Sequence, residues 1–390
     1  MKYIDKDKFL IILLSSAFIS ISLFELLIIL FLLWEFYLIF KRKIKINGIF
    51  TIPLFLIMIP SIASTIIYGK LKDLAGVLNQ NFFFVSYFAK NAFNPSYELF
   101  RKLNLVVVFF SFLEIFVVIF NFIFKHTYKP IWGGIFEIGI IFSLGSISAF
   151  VLFLLEKDKK KKFVFLSLAL FFAFLVFWTG KRNPILGLIS IYLITFIKLY
   201  KLFNINRKII FYILILFIVI FSFGISYAIY KFPKYKTIVK IITLQASEEE
   251  INKFSSNRWY IGKRGIEVIK KDIENKNIVP LLIGHGYNSG YYLDPPSPAG
   301  RTYESIFLIS EFIQKGILGL LGIIFMMFVY FKYIFSLKIK NTKQFVAFSF
   351  AVFPTYFFVG GIFSGIWDAI LPLYFLLFGL SEKYYGEKRV

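Results

Sequence analysis

The chain has 390 residues, of which 58% are hydrophobic and 21% aromatic, well above the roughly 45 to 50% apolar usage of water-soluble domains, so a soluble fold is excluded. Cysteine is absent and the two histidines, His126 and His285, show neither HExxH nor paired spacing, which removes disulfides, thiol nucleophiles and the usual ligands of catalytic zinc. The formal charge of +23 is spread as short basic clusters between apolar runs, the pattern of membrane topology signals and not of nucleic-acid binding.

Met1–Lys8 leads into an apolar stretch with no small-residue cleavage site, so this segment is expected to stay in the membrane. As one helix, Phe9–Phe40 would measure about 48 Å against a hydrocarbon core of about 30 Å. Lys2, Lys6 and Lys8 precede it, and Lys41, Arg42, Lys43 and Lys45 follow it. Placing both clusters on the cytoplasmic side requires an even number of crossings, which predicts a tight pair of short helices.

Further apolar runs fall near 49–68, 103–124, 131–155, 184–203, 209–230, 306–330 and 345–362, with shorter ones near 74–89, 163–179 and 366–380. Alternate crossings then put Arg101 and Lys102, Lys157–Lys162, Lys201–Lys208, Lys338–Lys343 and the tail Glu382–Val390 inside. The expected fold is all-α: a polytopic transmembrane bundle of about twelve helices with both ends cytoplasmic. Helices 1–9 occupy 1–230, a large outer-face loop domain 231–305, and helices 10–12 residues 306–390. Glu25, Glu35, Glu114, Glu137 and Asp368 lie within or beside these runs and need partners if they sit at depth.

Lys181 and Arg182, together with the basic span from Lys231 to Ser305, fall on the outer side against the positive-inside pattern. The span exceeds the usual length of a structureless loop and reads as a small ordered domain. Ala246–Lys253 and Trp259–Asn275 read as helices; in the second, Ile261, Gly265, Val268 and Ile269 share a face that suits a membrane surface. Gly284 to Gly300, rich in glycine and proline, reads as an irregular loop.

Arg182 stands just before Asn183-Pro184, at a helix start where a guanidinium and the helix dipole both attract phosphate. Contact of Lys181 and Arg182 with lipid headgroups is the plain alternative. Arg258, in Ser256-Asn257-Arg258-Trp259, also precedes a helix, with Asn257 available as its cap and Trp259 suited to the interface; a solvated loop arginine is the alternative. In Gly284-His285-Gly286 the glycines allow backbone amides to approach a ligand, and His285 is either a loop hydrogen-bonder or a contact to bound glycan. Arg301-Thr302-Tyr303-Glu304-Ser305 leads into the helix that carries Glu311 and the break Lys315-Gly316-Ile317-Leu318-Gly319. Glu304 there is placed either to take a proton from a sugar hydroxyl or to pair with Arg301.

Three stretches together resemble the superfamily of O-antigen polymerases and O-antigen ligases. They are Thr179–Leu188, Ser256–Trp259 with Pro280–Gly286, and Glu304-Ser305 through Glu311 to Gly316–Gly319. The resemblance covers the C-terminal half, while the N-terminal half matches in hydropathy alone. It implies metal-independent, inverting glycosyl transfer at the outer face of the cytoplasmic (inner) membrane, without a cofactor, from a polyprenyl-diphosphate-linked oligosaccharide. On this resemblance Glu304 and Arg258 are catalytic, and Arg182, Arg258, Arg301 and Lys181 hold the diphosphate. His285, Trp259 and Tyr303 are glycan or loop contacts. Ligases of the family place a histidine where Glu304-Ser305 stands, so a polymerase is favoured over a ligase, with a chain-length regulator as a candidate partner besides membrane lipid. A lipid-linked oligosaccharide flippase is the rival from another class, and a nonenzymatic membrane scaffold a third.

Overall fold

The structure is a computed structural model that describes residues 5–203, 233–303, 307–361 and 370–387. Every regular element among them is helical, and no strand occurs in the described residues. In chain order the helices are α1 (Lys6–Ile19), α2 (Ile21–Phe40), α3 (Thr51–Tyr68), α4 (Leu71–Val85), α5 (Tyr97–Lys125), α6 (Ile135–Leu155), α7 (Lys159–Trp178) and α8 (Arg182–Phe203). The polar segment contributes α9 (Pro233–Ile242), α10 (Glu248–Phe254), α11 (Arg258–Glu274) and α12 (Ile278–Ile283). Then come α13 (Phe307–Ser336), α14 (Phe348–Val352), α15 (Pro354–Gly360) and α16 (Leu371–Glu387).

Seven of these, α2, α3, α5, α6, α7, α8 and α13, are long and apolar enough to cross a membrane. Many of their large apolar side chains, such as Phe109, Phe116 and Phe124 on α5, point away from protein, as lipid-facing residues do.

The long N-terminal stretch does split. Ser20 is extended (φ −159, ψ 123) and caps α2 through Leu23 N→Ser20 Oγ at 3.4 Å. Phe9 stacks on Phe31 at 5.5 Å, the register of a hairpin that reverses at Ser20. Lys6 Nζ reaches Ala92 O at 2.8 Å, whereas Ala17 O receives Trp132 Nε1 at 2.8 Å; the two ends of α1 therefore lie at opposite ends of the body.

One end of the body gathers the basic clusters. Lys90 pairs with Glu382 at 2.7 Å, Arg101 approaches Glu156 at 4.0 Å, and Lys198 Nζ donates to Phe335 O and Leu337 O at 2.9 and 2.7 Å. Lys383 Nζ donates to Phe93 O at 2.5 Å. This is called the basic end below. At the other end lie the α3–α4 corner, the α7–α8 corner and the segment 233–303, here the loop end.

The acidic groups inside the apolar runs divide by partner. Glu137 takes Gly134 N at 2.6 Å and Glu114 takes Ile131 N at 3.2 Å, both binding the backbone that leads into α6. Glu35 is fully buried on α2, and neither of its carboxyl oxygens has a hydrogen-bond partner among the described residues. Asp368 and the run expected at 209–230 lie outside the described residues.

Candidate functional site

The α7–α8 corner turns at Gly180, whose φ of +61 is a left-handed conformation that glycine adopts without penalty. Thr179 Oγ1 accepts Lys181 N at 3.2 Å. Pro184 follows in the first turn of α8, where a missing N–H costs nothing. It packs so closely on α6 that a Cβ at Gly139 would lie 2.5 Å from its ring. Gly187 is fitted in the same way against the Tyr356 ring. Small residues thus seat the start of α8 firmly, and the start of α8 carries Arg182.

Arg182 is exposed. Its Nη2 donates to Phe254 O at 3.3 Å, and its guanidinium lies 4.9 Å from the Phe254 ring centroid. Phe254 ends α10, so this contact ties the first residue of α8 to the turn from which Arg258 opens α11. Two arginine-bearing helix starts, 76 residues apart in sequence (258 − 182), therefore share one corner.

That turn is built from polar side chains. Ser247 and Glu250 cap α10 reciprocally, with Glu250 N→Ser247 Oγ at 3.2 Å and Ser247 N→Glu250 Oε2 at 3.0 Å. Ser256 and Asn257 are left-handed, with φ of 57 and 66. The expected cap Asn257 does not cap α11: its conformation turns its side-chain oxygen to Asn252 Nδ2 at 3.1 Å. The first amides of α11 go instead to Ser255 Oγ (from Trp259 N, 3.1 Å) and Asn252 Oδ1 (from Tyr260 N, 3.1 Å). Anion binding here would fall to the arginine side chain, since these two amides are already satisfied. Arg258 is half-buried; Trp259 is exposed, with Lys263 Nζ 5.7 Å from its ring centroid.

Cations at the loop end differ in their partners. Lys240, Lys263, Arg264 and Lys271 each hold a carboxylate, from Glu250, Glu248, Glu267 and Asp294 respectively. Lys181, Arg182 and Arg301 have no carboxylate within salt-bridge distance among the described residues. Arg301 is exposed beside the turn where Gly290 N donates to Arg301 O at 3.1 Å. Exposed cations without a counter-charge are the ones free to receive an anionic ligand.

The apolar face expected to lie on the membrane surface is covered by protein. Ile261 and Val268 form a small core with Tyr303 and Ile313, and Ile309 packs against it; a Cβ at Gly265 would stand 2.7 Å from Ile309 Cγ2. Tyr303 is buried, donates its hydroxyl to Pro295 O, and has its pKa pushed up to about 12 by burial and by Asp294 nearby. It sits beneath the loop and not at its surface. Glu304 and Ser305, which adjoin it, lie outside the described residues.

Gly284-His285-Gly286 answers to the break in α13. Gly316 leaves helical geometry (φ 63, ψ −169), which releases the carbonyls of the preceding turn from their partners four residues on. His285 N donates to Ile313 O at 2.7 Å and Gly286 N to Gln314 O at 3.0 Å, and Ser64 Oγ adds a bond to Gln314 O at 3.1 Å. A Cβ at Gly284 would fall 2.2 Å from the Gln314 carbonyl carbon, and one at Gly316 would fall 2.3 Å from that of Leu282. The glycines therefore serve close approach between two backbones, and the amides expected to meet a ligand are taken by α13.

The His285 ring is fixed as well. Nε2 lies 2.7 Å from Asp272 Oδ2, and Asn277 Nδ2 donates to Asp272 Oδ1 at 3.1 Å. Asp272 is 14 residues beyond Arg258 (272 − 258) on α11, about 21 Å along the axis, so His285 and the arginine corner are separate places.

Two polar groups were not singled out as site residues by sequence reasoning. Asp73, in the first turn of α4, accepts Asn288 Nδ2 at 2.8 Å and the Tyr292 hydroxyl at 3.0 Å; Lys70 Nζ stands 4.0 Å from the centroid of that tyrosine ring. Inside α13, Lys315 and Glu311 form a buried ion pair one turn apart. An acidic residue in the short polar run Lys70-Leu71-Lys72-Asp73 after Gly69 was the available signal for the first, and the i, i+4 spacing of opposite charges for the second.

These features define an all-helical, multi-pass membrane protein with an ordered polar segment at one end. A protein of Aquifex aeolicus (strain VF5), described as an uncharacterized protein, is 35% identical over 399 residues and covers 100% of both chains. The chain belongs to its family. No protein-family model matches the chain.

Proposed function

We propose that the protein is a membrane glycosyltransferase of the O-antigen polymerase type. It would transfer a growing glycan from polyprenyl diphosphate to a sugar hydroxyl of a lipid-linked repeat unit, with inversion and without metal. In this reading twelve crossings, one of them at 209–230, put the basic end in the cytoplasm and the loop end at the outer face of the inner membrane. The acceptor oxygen attacks the anomeric carbon opposite the diphosphate, and the bond from that carbon to the diphosphate breaks. The leaving group departs with the bonding pair, and the hydroxyl proton passes to a carboxylate, for which Glu304 is the candidate. Charge developing on the diphosphate is met by guanidinium groups in a water-poor site, where such contacts count most.

The observation that carries this reading is Arg182. It is an exposed guanidinium at the start of a 22-residue helix, without a carboxylate partner among the described residues and bonded across to the turn that launches Arg258. The test is to incubate purified protein with a polyprenyl-diphosphate-linked repeat unit alone, without metal, and to resolve the glycans on a gel. A ladder supports a polymerase. Consumption only when a lipid core or protein acceptor is added makes the protein a ligase instead.

A second reading, a transporter of lipid-linked oligosaccharide, is favoured by the interruption of α13 beside the buried Glu311–Lys315 pair. Broken helices and buried charges surround substrate sites in transporters. Substrate that stays intact in the gel assay but crosses the bilayer of reconstituted vesicles would select it.

A further inference from the structure

We infer that α12 is an interfacial membrane anchor, its face of Ile278, Val279 and Leu282 sunk among the upper acyl chains of the bilayer. Three observations place it there. First, these side chains remain 64, 46 and 45% exposed in a six-residue helix that offers water no polar side chain, an unfavourable exposure unless another apolar phase covers it.

Second, the patch is continuous with surface that faces lipid if the long helices span. The Gly284–Gly286 turn that ends α12 packs on α3 through Gly286, where a Cβ would lie 2.9 Å from Thr65 Cα. Ile66 and Ile67 beside that contact point outward. On α13, Leu318 and Leu321 just past the break are also exposed.

Third, the depth fits. Past the break at Gly316, α13 runs for 20 residues (336 − 316), about 30 Å of helix that matches the hydrocarbon core by itself, so the turns before the break extend beyond the acyl chains. Those turns hold Glu311, Gln314 and Lys315, whereas Ile317–Phe335 is almost wholly apolar. α12 ends where His285 and Gly286 bond the Ile313 and Gln314 carbonyls, about 10 Å along α13 and so at the boundary between headgroups and chains. Lys276, exposed, stands close by in sequence, where a headgroup phosphate would meet it. The inference rests on the multi-pass membrane fold alone and is independent of the proposed glycosyl transfer.

Because the chain has no cysteine, single-cysteine variants label cleanly. Val279→Cys and Leu282→Cys, with Lys270→Cys as the control, would be labelled with bimane on the full-length protein. Each is then reconstituted into phosphatidylcholine vesicles with or without lipid carrying a doxyl group on the upper acyl chain. The expected result is that positions 279 and 282 are quenched by the lipid at least about threefold more than position 270, and are shielded from aqueous iodide. Equal iodide access at 279, 282 and 270 with no lipid quenching would overturn the inference, as would stronger quenching from a doxyl group at the chain terminus than from one near the headgroup. Ile278→Cys gives a third position on the same face should either variant fail to fold.

Discussion

The two ends of the helical body contain the same kinds of cation but bury their fastenings to different depths. At the basic end three lysines are tied into the protein, Lys90 to Glu382, Lys198 to two carbonyls ending α13, and Lys383 to Phe93 O, while Lys41, Lys43 and Lys159 stay exposed. At the loop end, Lys181, Arg182 and Arg301 remain exposed and meet no carboxylate among the described residues. Positive charge at a membrane protein's end can thus be a fastening or an open receptor. Sequence clusters alone do not say which, because the partner carboxylates and carbonyls are hundreds of residues away.

The strongest way to sharpen this contrast is to cut one fastening. Glu382 receives the Tyr87 hydroxyl at 2.5 Å, Lys90 Nζ at 2.7 Å and Ile49 N at 3.2 Å, and it lies where Gly48 leaves no room for a Cβ beside Tyr87. Glu382→Ala strands a buried ammonium and two further donors, a loss on the order of 3 to 5 kcal/mol. Thermal unfolding in detergent should show a large fall in midpoint. An unchanged midpoint would mean that the basic end is not held by its charges.

Removing an open cation should have the reverse profile. Arg182→Ala gives up one long, solvent-exposed guanidinium-to-carbonyl hydrogen bond and a ring contact, so the unfolding midpoint should barely move. Under the glycosyltransferase reading the turnover should fall roughly 10²- to 10³-fold, the loss typical of one charge-stabilising donor. Arg182→Lys should recover only part of it, because an ammonium cannot make the bidentate contact. Full activity in Arg182→Ala would remove this residue from the diphosphate clamp.

The loop end is also held by a backbone joint whose fit rests on close approach and not on charge. Gly284 has φ +86 and ψ 179, a region essentially reserved for glycine, and any Cβ would strike the Gln314 carbonyl carbon at 2.2 Å. Gly284→Ala should cost on the order of 3 kcal/mol and expose the 284–303 loop to protease before the helices unfold. Global unfolding without earlier cleavage would show that the loop and bundle are a single cooperative unit.

How far these places were legible in the sequence follows from the range of the interactions. That Phe9–Phe40 splits into two helices could be read, because charge on both flanks and an excess of helix length are local facts, but its reversal at Ser20 was not located. So could the starts of α8 and α11, marked by Gly180, Pro184 and the serine-rich turn, and the break at Gly316. The role of Gly284 and Gly286 could not, because it depends on carbonyls released in α13 some 30 residues later (314 − 284). The hidden face of α11 was misjudged for a related reason: Ile261, Gly265 and Val268 are a correct apolar stripe, but a stripe does not say whether lipid or Ile309 and Ile313 will cover it. Asp73 and Arg182 gain their meaning only from Asn288, Tyr292 and Phe254, residues that hydropathy and charge counting leave unlinked.

The smallest effect expected tests whether the paired cations of the loop end resemble the fastenings at the basic end. Lys271 meets Asp294 at 2.6 Å, but both side chains are exposed, at 48 and 87%. Solvent screening and the entropy of two free side chains leave such a pair worth about 0 to 1 kcal/mol. Lys271→Ala should therefore shift the unfolding midpoint by no more than a degree or two on the size scaling of such changes, and any shift should vanish in high salt. A salt-independent loss comparable to that of Glu382→Ala would mean that Lys271–Asp294 clamps the loop over Tyr303, so that strong fastenings would not be confined to the basic end.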